Sequence, residues 1–165
     1  MKSYLFFALV FTCLSISLNA FAQSAEVAVG GDVGNPFKIT KANFASLKHI
    51  SIKAKSKDGK EHEYSGVNLY DIITKAESIP GNILRGKSLT KYILVSAADG
   101  YQIVIALPEI DPDFTNNTII LANKMDGKDL PDNAGPFRLI VPLDKKQARS
   151  ATQVISIDVL TAEKP

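Results

Sequence analysis

The sequence predicts an α+β fold: one mixed-sheet domain with short helices. Three observations lead there. Short β-branched runs recur along the chain, Asp58-Gly59, Asp99-Gly100 and Asp126-Gly127 punctuate them as turns, and the helical periodicities are brief. The clearest unit runs from Tyr92 to Ile110. Tyr92-Ile93-Leu94-Val95 and Tyr101–Ala106 flank Asp99-Gly100, which reads as a hairpin because glycine takes the positive φ such a bend needs. Pro108 then opens a short helical turn, where its missing N–H is harmless.

The remaining elements follow in order. Lys2, an apolar run from Tyr4 to Leu18 and Ala20-Phe21-Ala22 predict a secretory signal peptide over residues 1–22. The run is shorter than the ~20 residues a membrane-spanning helix needs. Val10-Phe11-Thr12 ahead of Cys13 are too bulky for a lipidation signal. Residues 23–36 are small and glycine-rich and read as a flexible N-terminal arm. The folded domain is expected over 37–160, with a tail at 161–165.

Within that domain Phe37-Lys38-Ile39 alternates as a strand, and Thr40 can cap a short helix carrying Phe44 and Leu47. His49–Lys55 places Ile50, Ile52 and Ala54 on one face, and Asp58-Gly59 turns it toward His62-Glu63-Tyr64. Asn68 is a good helix cap, and Leu69, Ile72, Ile73 and Ala76 form one apolar stripe, stopped by Pro80-Gly81. Strands are expected at Ile119–Ala122 and Phe137–Val141. A last strand, Gln153–Leu160, should present Ile155, Ile157 and Val159 together.

Composition excludes several function classes. Without the leader the chain holds 18 basic and 17 acidic residues, a balance unlike that of a nucleic-acid binder. Cys13 is the sole cysteine and leaves with the leader, so no disulfide, thiolate metal ligand or cysteine nucleophile remains. His49 and His62 lack metal-ligand spacing, and Asp111, Asp113, Asp126, Asp129 and Asp132 lack the pattern of a calcium loop and read as solvated turn residues. There is no Gly-x-Ser-x-Gly, Gly-x-Gly-x-x-Gly or P-loop. What remains is basic: Arg138 on a strand, then Lys145, Lys146 and Arg149 in the next loop. If these four converge they can hold a phosphate or carboxylate; if not, they form a solvated basic loop.

Five segments in this order resemble the sulfite oxidase type molybdopterin-binding domain. Gly66-Val67-Asn68-Leu69 through Ile73 is similar to that family's "Gly-Val-Pro-Leu-x-x-Leu-Leu" segment, and Asp99-Gly100-Tyr101 to its "Asp-Gly-Tyr" hairpin. Met125–Pro131 resembles its "Met-Asn/Asp-Gly-x-x-Leu-Pro" loop, and Gly135–Pro142 its "Gly-x-Pro-x-Arg-Leu-x-Val-Pro" strand. Lys145–Val159 resembles the closing basic loop and strand, with Arg149-Ser150 as a basic-Ser pair.

The resemblance covers about residues 34–160 and implies a mixed α+β fold that binds molybdenum through a pterin dithiolene and one protein cysteine. That cysteine would fall between Ile50 and Glu63, where this sequence has none. Gln102 and Thr152 stand where relatives carry basic residues.

The expected function is therefore a periplasmic or secreted domain of this type without a catalytic molybdenum site. It would bind a small anionic ligand or a partner protein, with no nucleic acid and no membrane span after cleavage. One alternative is a molybdopterin-dependent oxidoreductase or its accessory subunit, with Arg138, Lys145, Lys146 and Arg149 on the pterin phosphate. The other is a structural envelope protein.

Overall fold

Two five-stranded sheets face each other in the structure, a computed structural model that describes residues 26–79, 81 and 83–163. The expected leader, Pro80 and the end of the expected tail lie outside the described residues. The first sheet runs β2 (Phe37–Thr40), β1 (Glu26–Gly31), β10 (Val154–Thr161), β5 (Lys91–Ala97) and β6 (Gln102–Ala106). The second runs β3 (His49–Lys55), β4 (Glu61–Asn68), β7 (Ile120–Met125) and β8 (Lys128–Asp129), with β9 (Arg138–Ile140) also pairing with β7. β1 lies parallel to β10, and every other pairing is antiparallel.

The main core fills the space between the sheets. Val27, Val29, Ile93, Val95, Ile105 and Ile157 come from the first sheet, and Val67, Leu121 and Leu139 from the second. Helix α1 (Lys41–Phe44) is short, and Thr40 caps it reciprocally with Asn43. Its Phe44 meets the Phe137 ring edge-on, centroids 4.9 Å apart. Helix α2 (Leu69–Lys75) starts at Asn68, whose side chain accepts from the Tyr70 N–H, and its expected stripe is buried from Leu69 to Ala76. It ends before Pro80: Glu77 turns left-handed at φ 56°.

Three expectations need correction. The arm expected over 23–36 contains β1, held between β2 and β10, with Val27 and Val29 buried. Its residues are small, and its parallel partner β10 lies more than a hundred residues on, beyond the reach of any local pattern. The tail is also shorter than expected, since β10 extends to Thr161. In β10 the predicted face is broken by a bulge between Val154 and Ser156. Ile155 is left exposed, and Val154 joins Ile157 and Val159 in the core.

A second apolar cluster lies on the far face of the β3–β4–β7–β9 sheet, built from Ala54, Tyr64, Ile120, Ala122, Leu130 and Ile140. Gly66 brings β4 and β7 close together. A Cβ there would stand 2.1 Å from the Leu121 carbonyl oxygen, so the Gly-Val motif is first a packing requirement. The Asp99-Gly100 hairpin forms as predicted, with Gly100 at φ 84°.

Candidate functional site

The loop after β9 carries three of the four predicted basic residues, and its base is fixed by hydrogen bonds. The Val141 N–H donates to the buried Ser150 hydroxyl at 3.0 Å, and the Leu139 N–H to the Ala151 carbonyl at 2.8 Å. Tyr101, at the end of the hairpin turn, donates its hydroxyl to the Ala148 carbonyl at 3.0 Å. The Asp-Gly-Tyr motif thus pins the basic loop.

Arg149 is the central tie. Its Nε and Nη2 donate to the two oxygens of Asp144 at 2.8 Å each, and Nη1 donates to Glu109 at 2.8 Å. Glu109 also accepts from the Ala106 N–H, linking the clamp to the end of β6. The paired hydrogen bonds from Arg149 hold the Asp144 carboxyl below the usual carboxylate range, outweighing its partial burial. Reciprocally, Asp144 first and Glu109 second hold the guanidinium in its charged form. Arg149 therefore shapes the loop, and its charge is neutralised there.

Arg138 departs from the expected cluster as well. It points to the second apolar cluster, 6 % exposed, with Nη1 donating to the Tyr64 hydroxyl at 3.3 Å and the guanidinium 5.5 Å from the Tyr64 ring centre. Its Nε is buried without a partner among the described residues.

Lys145 and Lys146 remain exposed and meet three lysines far from them in sequence. A groove of about 700 Å³ is lined on one side by Lys53, Lys55 and Lys57 of the β3–β4 hairpin and on the other by Pro142, Asp144, Lys145, Lys146 and Gln147. Ala54, Ser56, Gly59 and Glu61 complete it. Five lysines and two acidic residues thus line it. One carboxylate belongs to Asp144, already held by Arg149, and the other to Glu61, 3.7 Å from Lys53. Lys53 and Lys55 alternate outward along β3, a pattern legible in sequence. Their meeting with a loop some ninety positions later was not.

The other titratable candidates are structural. His49 Nε2 lies 2.9 Å from the Phe44 carbonyl, with its ring edge-on to Phe44. His62 Nδ1 lies 2.6 Å from Asp126 and Nε2 3.9 Å from Asp58, tying the β3–β4 hairpin to the β7–β8 turn. That contact, chiefly the hydrogen bond, lowers the Asp126 pKa. Asp111, read as a solvated turn residue, is buried and accepts from the Asp113 N–H. A second cavity of about 410 Å³, lined by Lys41, Asn123, Asp129, Asp132 and Phe137 among others, gathers none of the four basic residues.

A sequence profile of the oxidoreductase molybdopterin binding domain matches residues 16–165. The chain belongs to that family. No curated protein matches it significantly. Among solved structures it is similar to the sulfane dehydrogenase SoxCD of Paracoccus pantotrophus, at 16 % identity and a TM-score of 0.65. The match covers 82 % of this chain and 38 % of that one, and it establishes a shared fold.

The family description implies a molybdopterin group. The groove offers ammonium groups, the Ser56 hydroxyl and carboxylates, and the chain's one cysteine, Cys13, lies outside the described residues. Among the described residues no three His, Cys, Asp or Glu side chains are placed to hold a metal ion. This donor set does not fit a thiolate-anchored molybdenum, whereas it suits a phosphate-bearing anion.

Proposed function

We propose that this chain is a periplasmic or secreted member of the family that binds a phosphate-bearing anion in the lysine groove and lacks a catalytic molybdenum site. The single observation carrying this reading is the convergence of Lys53, Lys55 and Lys57 with Lys145 and Lys146, largely free of neutralising carboxylates. Lys145 and Lys146 act there as point charges on a loop already set by Arg149, opposite those of the β3–β4 hairpin, so the anion is met by positive charge from both walls. The leader supports export, and the missing thiol in β3–β4 supports binding without metal chemistry.

Calorimetric titration with pyrophosphate tests it. Saturable binding should weaken on raising salt, and Lys145→Glu or Lys55→Glu should weaken it further while leaving the melting temperature unchanged, since both residues are exposed. Binding indifferent to both reversals would overturn the lysine-groove reading.

A second reading has one observation in its favour. The buried, unpartnered Nε of Arg138 is a donor aimed at no group of the described chain, as expected if an anionic cofactor such as molybdopterin reached it.

A further inference from the structure

We infer that the lysine groove docks on anionic lipid headgroups at a membrane surface, with Leu143 entering the headgroup boundary beside them. This rests on the reading of the groove as an anion site and names the source of the anion.

Leu143 carries the argument beyond charge. It is 72 % exposed, more than the other exposed large apolar residues described, and its chain neighbours Pro142 and Asp144 line the groove while its own side chain stands outside it. The loop that presents it is not slack. Ser150 ties its base, Arg149 ties Asp144 next in sequence, and the Tyr101 hydroxyl ties Ala148. A leucine held in water by a braced loop, two residues from Lys145 and three from Lys146, is an apolar tip inside a basic field.

The charge pattern suits a lipid surface. Lys53, Lys55, Lys57, Lys145 and Lys146 come from two separate segments and share one open groove. Outside the groove the chain without its leader carries more acidic than basic residues, so this face alone would turn toward a negative surface potential. No aromatic residue and no arginine lines the groove. It therefore has neither a stacking wall for a base nor a fork for one fixed phosphate, and flexible ammonium groups match many laterally mobile headgroups. Among the described residues no helix is long and apolar enough to cross a membrane, so the association would be peripheral.

The test is co-sedimentation of the full chain, as processed by its expression host, with vesicles of phosphatidylcholine alone or mixed with phosphatidylglycerol. Pyrophosphate titration runs in parallel. We expect binding to the mixed vesicles that the neutral ones do not support. Leu143→Ser should weaken it about tenfold, the low end for burying a leucine, and leave pyrophosphate binding unchanged. Lys55→Glu and Lys145→Glu should each weaken vesicle binding at least fivefold, since each lysine near an anionic surface contributes about that factor. Both should also weaken pyrophosphate binding. Pyrophosphate binding without vesicle binding, or vesicle binding indifferent to Leu143→Ser, overturns the membrane inference and leaves the anion site standing. Failure of both ligands removes the anion site itself.

Discussion

Replacing Arg149 with alanine should loosen the loop that carries Lys145 and Lys146, and the size of the effect follows from its contacts. Arg149 makes three charge-assisted hydrogen bonds of 2.8 Å, two to Asp144 and one to Glu109. Hydrogen bonds to charged groups contribute about 1.5–3 kcal/mol each when dry. The side chains here are 32 % exposed for Arg149, 21 % for Asp144 and 37 % for Glu109, so solvent screening reduces each well below that. A net loss of about 2–3 kcal/mol remains, or roughly 5–10 °C in melting temperature for a domain of this size. Arg149→Lys keeps the charge but not the fork and should lose about half as much.

The pH dependence has a definite sign. The folded-state pKa of Asp144 is depressed, so its contribution is fully present above its unfolded value of about 4 and fades as pH falls through the folded value. Thermal unfolding followed by circular dichroism should show a constant gap between wild type and Arg149→Ala from neutral pH down to about pH 5, narrowing below about 4. A neutral-pH gap under about 0.5 kcal/mol, or one that persists undiminished in acid, would refute the clamp.

Other perturbations probe the scaffold. Gly66→Ala places a methyl 2.1 Å from the Leu121 carbonyl oxygen and forces β4 from β7; it should lower stability by about 3 kcal/mol or more in denaturant titration. Val29→Ala removes buried methyls from β1 and should lower stability by about 2 kcal/mol, whereas the same change in a flexible arm would be silent. The Asp126 carboxyl should titrate below the ordinary aspartate range by NMR, and His62→Gln should move it back toward that range.

Local signals carried most of the fold. The Thr40 and Asn68 caps, the Leu69–Ala76 stripe and the Asp99-Gly100 hairpin all depend on neighbours within a few residues, and each forms as expected. Failures occurred where distant partners decide. β1 exists because β10, more than a hundred residues later, pairs with it, and Ile155 is expelled by a bulge that alternation alone does not reveal. The same division runs through the site. Residue type marked Lys145 and Lys146 as basic loop residues, yet tertiary pairing buried Arg138 on Tyr64 and spent Arg149 on Asp144 and Glu109. Tertiary structure also supplied Lys53, Lys55 and Lys57 as the true neighbours.

The most direct test of the central claim, that this family member binds anions without a metal centre, is the molybdenum and pterin content of protein purified from a molybdenum-replete host. A folded protein with molybdenum far below stoichiometric and no pterin fluorescence after oxidation, still able to bind pyrophosphate, is expected. Near-stoichiometric molybdenum with pterin would contradict it and favour the reading in which the chain binds molybdopterin.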